Sequence, residues 1–205
     1  TLNSLKQLGI RIYKKNESYF VEGKGFKGLK ESENQLYFGN SGTGTRLMSG
    51  LLSIQNFSSS LTGDDSLSQR PMKRIIEPLV KMGVNISGSK EDTLPLRITP
   101  SEKINGIHYE MPIASAQVKS AILFASLGAT GDTKIIEKTK SRDHTERMFE
   151  FFGANIRYSD KETILKNTDK FTPQDIEIPG DFSSSAFFIV AALISKNSDI
   201  TLREV

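Results

Sequence analysis

One pattern occurs three times along this chain, and it limits the possible folds more than any other feature. A glycine ends an amphipathic segment and opens a strand-like one at Gly9–Ile12, Gly83–Ile86 and Gly153–Ile156. A short apolar run, a loop of small polar residues and an apolar helix follow each time. The spacing of about 70 residues is too long for a thin solenoid. The chain is therefore predicted to contain copies of one supersecondary unit.

Two classes of helix alternate between these segments. The outer class is amphipathic and ends at the repeated glycine, which suits a left-handed helix cap. The inner class, at 118–125 and 186–193, is apolar nearly all round and is expected to be buried on most sides. Strands are predicted at Tyr19–Val21, Leu94–Ile98, Ile107–Met111, Thr163–Leu165 and Ile176–Ile178. The two classes predict an α/β fold with mixed sheets outside and buried parallel helices inside.

Composition excludes several classes of protein. The chain of 205 residues has no cysteine, so it can form neither disulfides nor thiolate metal sites. Its net charge of +3 is spread along the sequence and does not require a nucleic-acid partner. No apolar run could span a membrane and no signal peptide is recognisable, so a cytoplasmic location is expected. His108 and His144 lack metal-ligand spacing, and both are expected to be structural.

The polar loops hold the residues that could bind a ligand, because free backbone N–H groups at a helix start attract anions. Asn40, Gly42 and Arg46 lie in the richest loop, which suits a phosphate or a carboxylate; a glycine-rich turn with a serine cap is the alternative. Arg70 follows a second polar loop, and its guanidinium could pair an anion through two bonds. An ordinary surface loop is the alternative there.

Two later segments extend this set of candidates. Ser115, Ala116 and Gln117 could hold a phosphate by hydroxyl and backbone, or they could simply cap the next helix. Ser141 and Arg142 precede an outer helix, where a solvated charge is the alternative. The spacing of Asp143 and Glu146 further predicts a capping box for that helix.

Together these segments resemble 5-enolpyruvylshikimate-3-phosphate synthase, also called 3-phosphoshikimate 1-carboxyvinyltransferase. Four ordered motifs over nearly the whole chain carry the resemblance: Asn40-Ser41-Gly42-Thr43-x-x-Arg46, Leu61-Thr62-Gly63-Asp64-x-Ser66-Leu67-x-x-Arg70-Pro71-Met72, Ser115-Ala116-Gln117-Val118-Lys119-Ser120-Ala121 and Ser141-Arg142-Asp143-His144-Thr145-Glu146.

The resemblance implies repeated βαβαββ units in an incomplete inside-out barrel. Residues 1–179 would form most of one three-repeat domain without its first strand and helix, and 180–205 would begin the second domain. A fragment of a longer repeat protein is expected, because Leu2, Leu5 and Leu8 look like the tail of a helix.

The family transfers the enolpyruvyl group of phosphoenolpyruvate to shikimate 3-phosphate. By motif, Asn40, Gly42 and Arg70 would contact phosphoenolpyruvate, with Arg46 close by, and the inhibitor glyphosate would occupy the same subsite. The remaining candidates would hold shikimate 3-phosphate, namely Ser115, Ala116, Gln117, Ser141 and Arg142. No cofactor, metal, nucleic acid or membrane partner is expected.

The family's catalytic aspartate and lysine lie outside the chain, so no catalytic residue is expected in it and the chain alone is expected to be inactive. The full-length protein is expected to be a monomer, while dimerisation of the isolated chain stays open. The alternatives are a relative of UDP-N-acetylglucosamine enolpyruvyl transferase and a non-catalytic polyanion-binding module. Many members of the former carry a cysteine near Asp64 and Asp65, which this chain lacks.

Overall fold

The computed structural model describes residues 1–205, which divide into two compact units, 1–172 and 173–205. The first unit holds ten strands and six helices, and the second holds one helix. In chain order the elements are α1 (Leu2–Gln7), β1 (Arg11–Lys15), β2 (Ser18–Glu22), β3 (Leu36–Tyr37), α2 (Gly42–Ser53), β4 (Ser59–Thr62), α3 (Asp65–Ser68), α4 (Lys73–Lys81), β5 (Asn85–Ser87), β6 (Leu96–Thr99), β7 (His108–Met111), α5 (Ala116–Ser126), β8 (Thr133–Glu137), α6 (His144–Phe151), β9 (Ile156–Tyr158), β10 (Glu162–Leu165) and α7 (Phe182–Ile194).

The βαβαββ unit is present twice in full. Residues 36–99, here copy 2, form a sheet of order β3-β4-β6-β5, and residues 108–165, here copy 3, form a sheet of order β7-β8-β10-β9. In each sheet the first two strands are parallel and the other neighbours are antiparallel. Residues 2–22, here copy 1, hold the helix and the hairpin that end such a unit. The predicted α/β repeat fold with mixed sheets is confirmed.

The repeated glycines end the outer helices in one geometry. Gly9, Gly83 and Gly153 all have positive φ, at 85°, 92° and 84°. At each of them the glycine N–H and the next N–H reach back to the last turn of the helix, which is the Schellman arrangement. In copy 2, for example, Gly83 N donates to Val80 O over 2.9 Å and Val84 N donates to Leu79 O over 3.0 Å. A side chain would strain this left-handed backbone, so the glycine repeat is structural.

The inner helices of copies 2 and 3 pack against each other across the core of the first unit. They approach so closely at Gly50 that a methyl group there would lie 2.1 Å from the carbonyl oxygen of Ala121. Leu52 on α2 and Ile122 and Leu123 on α5 are almost completely buried. The burial predicted for the inner helix at 118–125 is therefore confirmed in α5, and α2 is buried against it.

The second unit departs from two expectations. Ile176–Ile178 joins no sheet, and Ile178 is 84% exposed; the predicted strand is wrong because a strand needs a partner and this segment has none. The apolar helix α7 exposes Phe187 and Leu193 at 80% each. Burial of an apolar helix needs a second layer, and residues 173–205 contain a single helix and no strand.

None of the helices is both long enough and apolar enough to span a membrane.

The predicted capping box at α6 is wrong: Asp143 is the N-cap residue, but its side chain makes no capping hydrogen bond. The carboxylate of Glu146 instead points into the protein interior, where it meets Lys119.

Candidate functional site

The connection from β3 to α2, together with the first turn of α2, is here the Asn40 loop (residues 38–46). Ser41 is the N-cap residue, and its Oγ accepts a hydrogen bond from Gly44 N over 3.1 Å. The chain turns here because Gly39 adopts a positive φ of 57°. The loop therefore presents the start of a twelve-residue helix, where the helix dipole favours an anion.

A network of three side chains fixes the position of Asn40. Its Nδ2 donates to both carboxylate oxygens of Asp64, over 3.1 and 2.9 Å. Its Oδ1 accepts a 2.5 Å hydrogen bond from Nη2 of Arg70. Asp64 also caps α3 by accepting from Leu67 N over 2.8 Å. The hydrogen bonds from Leu67 and then Asn40 lower the pKa of Asp64 below its usual range.

Positive charge collects around Gly42. A methyl group on this glycine would lie 3.1 Å from Nη1 of Arg46 and 3.3 Å from Nη1 of Arg70, so both guanidinium groups flank the helix start. Burial, followed by the charges of Arg70 and Arg74, lowers the pKa of Arg46. Like charges held together in this way are stabilised when an anion binds between them.

The start of α5 meets the Asn40 loop through one glutamine. Oε1 of Gln117 accepts a 2.6 Å hydrogen bond from Nη1 of Arg46, and its Nε2 donates to Oγ1 of Thr43 over 2.7 Å. Ser115 caps α5, and its Oγ accepts from Val118 N over 3.5 Å. The stretch from Met111 to Lys119, here the Ser115 loop, thus brings a second helix start to the first one.

The segment between β8 and α6, residues 138–143, is here the Arg142 loop. Arg142 is exposed and makes no hydrogen bond or ion pair within the chain. The Oγ atom of Ser141 is buried and has no hydrogen-bond partner. Of the nine candidate residues, the structure joins Asn40 to Arg70 and Gln117 to Arg46, with Gly42 between the arginines. Neither Ser141 nor Arg142 forms a direct hydrogen bond with any of the other seven candidates.

Sequence reasoning missed three residues that organise these loops. Asp64 holds Asn40, Thr43 holds Gln117, and Lys119 is buried at 2% exposure within a helix that reads as apolar. An acidic residue before a short helix is a cap signal that could have indicated the role of Asp64. A lysine in an otherwise apolar helix could likewise have predicted a buried ion pair, because a buried ammonium needs a carboxylate partner.

No group of three or more histidine, aspartate or glutamate side chains in residues 1–205 is arranged to hold a metal ion. The residues that converge are amides, hydroxyls, backbone N–H groups and arginines. They form a candidate site between two copies of an α/β repeat, and their chemistry suits an anion.

The comparisons with known proteins identify the family of this α/β repeat protein. The chain belongs to the EPSP synthase (3-phosphoshikimate 1-carboxyvinyltransferase) family, whose model matches residues 1–205. It is 47% identical over 206 residues to the 3-phosphoshikimate 1-carboxyvinyltransferase of Streptococcus equi subsp. equi and 47% identical over 205 residues to that of Leuconostoc citreum. Both alignments cover 100% of the chain and 48% of the relative.

The same family is found among solved structures. The EPSP synthase from Acinetobacter baumannii superposes with a TM-score of 0.87 at 43% identity, over 100% of this chain and 47% of that one. The chain spans about half the length of the curated relatives it matches. The resemblance drawn from the four motifs is confirmed.

Proposed function

We propose that the full-length protein transfers the enolpyruvyl group of phosphoenolpyruvate to the 5-hydroxyl of shikimate 3-phosphate and releases phosphate. Full-length protein here means this chain together with the remainder that its relatives have. The observation that supports the proposal most is the meeting of two helix starts, linked by Gln117 and flanked by Arg46 and Arg70. Both proposed substrates are multiply anionic, and such groups bind anions strongly.

The two loops take different substrates in this proposal. The Asn40 loop binds phosphoenolpyruvate through Asn40, the Gly42 backbone and Arg70, with Arg46 beside them. An arginine can pair a carboxylate or phosphate through two parallel hydrogen bonds, which fixes orientation as well as affinity. Glyphosate occupies the same subsite.

The Ser115 and Arg142 loops bind shikimate 3-phosphate in this proposal. Ser115 and the backbone at Ala116 hold the phosphate, Gln117 contacts the ring, and Ser141 and Arg142 complete the subsite. Arg142 is exposed, and the buried Ser141 hydroxyl lacks a protein partner, so both are available to a ligand. Gln117 would then join the two subsites.

The isolated chain is expected to have no transferase activity, because the catalytic aspartate and lysine implied by the resemblance are not among its residues. The full-length protein is expected to work as a cytoplasmic monomer and to need no cofactor.

The proposal is tested by acceptor specificity. The full-length protein is incubated with phosphoenolpyruvate and either shikimate 3-phosphate or UDP-N-acetylglucosamine, and enolpyruvyl product and phosphate are quantified. Product with shikimate 3-phosphate alone is expected. Product with the UDP-sugar alone would assign the protein to the related transferases. Binding to heparin that weakens steeply with salt, without any turnover, would instead support a polyanion-binding module.

A further inference from the structure

An ionic cluster lies in the interior of copy 3 and joins Lys119, the last residue of the Ser115 loop, to two glutamates. Nζ of Lys119 lies 2.5 Å from Oε2 of Glu137 and 2.6 Å from Oε1 of Glu146. The three side chains are exposed by only 2–4%. The second oxygen of each glutamate is buried and has no hydrogen-bond partner in the chain. One ammonium therefore holds two carboxylates away from water.

The three residues lie at the edges of the proposed shikimate 3-phosphate subsite. Lys119 is in the first turn of α5, two positions after Gln117. Glu137 is the last residue of β8, and Glu146 is in the first turn of α6. The segment between those glutamates contains Ser141 and Arg142. One lysine thus fixes both ends of the Arg142 loop to the helix that carries the Ser115 loop.

A second link lies beside the first. The hydroxyl groups of Ser120 and Thr145 are 2.6 Å apart, and these residues directly neighbour Lys119 and Glu146 in the sequence. The Ser120 hydroxyl also donates to Ala116 O over 2.7 Å. Two adjacent pairs therefore connect the first turn of α5 to the first turn of α6.

The equivalent positions of the other copies show that the fold does not require this cluster. Lys119 is the fourth residue after the N-cap of its helix, and Thr45 and Ser185 hold that place in α2 and α7. Their hydroxyls bond back to the N-cap carbonyl of their own helix, over 3.0 and 3.2 Å. Glu146 is the third residue after the N-cap of α6, where α4 has the buried Ile75.

We propose that the Lys119–Glu137–Glu146 cluster positions the Arg142 loop against the Ser115 loop and so sets the affinity for shikimate 3-phosphate. The inference rests on the function proposed above. A buried ion pair adds little to stability compared with apolar residues of similar size, whereas its directional bonds can specify one arrangement. Lys119 is accordingly a positioning residue, since its ammonium is used up by two carboxylates inside the protein.

The test separates positioning from stability through the two Michaelis constants of the full-length enzyme. Glu146→Leu leaves a neutral Lys119–Glu137 pair and similar volume, so the protein is expected to fold. We expect KM for shikimate 3-phosphate to rise about 10- to 100-fold, as for other displaced supporting groups, while KM for phosphoenolpyruvate stays within about 2-fold. Glu162→Leu is the matched control, because it breaks the half-exposed Lys134–Glu162 pair of the same copy.

Thr145→Val removes the second link with almost no change of shape. It is expected to raise KM for shikimate 3-phosphate about 3-fold, because one hydrogen bond is lost. If Glu146→Leu does not fold, this variant is used for the test instead. Equal increases of both Michaelis constants, or a lower melting temperature with unchanged constants, would overturn the positioning role. A wild-type protein that does not use shikimate 3-phosphate would instead contradict the proposed function.

Discussion

Copies 2 and 3 have the same architecture but hold their polar loops in different ways. Their sheets have the same strand order, and their outer helices end in the same glycine motif. In copy 2 the Asn40 loop is fixed by partly exposed hydrogen bonds among Asn40, Asp64 and Arg70. In copy 3 the Ser115 and Arg142 loops are connected by the buried ionic cluster around Lys119. The repeat therefore determines the backbone and leaves the chemistry of each loop free to differ.

Among the substitutions that compare the two copies, Lys119→Met is expected to lower the free energy of unfolding the most. The substitution leaves two carboxylates buried without their cation, which typically costs about 3–5 kcal/mol of folding free energy. Lys134→Met is the control in the same copy, because its partner Glu162 is half-exposed, and a pair of that kind is worth about 0–1 kcal/mol. Urea unfolding of the full-length variants measures both. Equal losses would show that burial does not distinguish the two pairs.

The contact between the two copies is tested by Gly50→Ala. The added methyl group would lie 2.1 Å from the Ala121 carbonyl oxygen, so α2 and α5 must move apart. Overpacking of this kind typically costs about 1–3 kcal/mol. Gly23→Ala is a suitable control, since no atom would lie within 4 Å of its new methyl group. A Gly50 variant as stable as the Gly23 variant would contradict the close approach of the helices.

The shared glycine caps allow a finer comparison. Gly153→Ala adds only backbone strain, expected to cost about 1–2 kcal/mol, because its methyl group would meet nothing closer than 3.7 Å. Gly83→Ala adds the same strain and a 2.7 Å approach to the carbonyl oxygen of Lys103. Copy 2 should therefore lose more stability than copy 3 in parallel thermal melts. The reverse order would contradict the close approach of Gly83 to the carbonyl oxygen of Lys103.

The smallest expected effect is a change in the pKa of Asp64, which belongs to the hydrogen-bond network of copy 2. Because the folded state lowers the pKa of Asp64, its contribution to stability is present above the ordinary value of 3.8 and is lost as the pH falls through the lowered value. Asn40→Ala removes the second-largest cause of this shift and leaves the larger one, the hydrogen bond from Leu67 N. The pKa of Asp64 should therefore rise but remain below its ordinary value. NMR titration of the carboxyl group checks this, and an unchanged pKa would exclude the contact with Asn40.

Repetition in the sequence made much of the fold predictable. Gly9, Gly83 and Gly153 marked three helix ends because a left-handed cap strongly favours glycine. Ile176–Ile178 showed the limit of this reasoning, since alternation of residue types cannot say whether a partner strand is present. The expected burial of α7 failed for a related reason, because burial depends on what other elements supply.

The candidate site was predictable where a motif is local. Helix starts and arginines identified the Asn40 and Ser115 loops, but the link of Gln117 to Thr43 and Arg46 spans more than 70 positions of sequence and has no local signal. At Glu146, by contrast, a local motif predicted a contact that the structure does not have. Its spacing from Asp143 fits a capping box, yet the ammonium of Lys119 draws its carboxylate inward, because a buried charge must be paired.

The proposed function assigns phosphoenolpyruvate to copy 2 and shikimate 3-phosphate to copy 3. The most direct measurement compares Arg70→Ala with Arg142→Ala in the full-length enzyme, with both Michaelis constants determined for each variant. Loss of a charged partner typically costs about 2–5 kcal/mol when the site is desolvated. Arg70→Ala should weaken the use of phosphoenolpyruvate more than that of shikimate 3-phosphate, and Arg142→Ala should do the opposite. The same pattern in both variants would contradict the division of substrates between the copies.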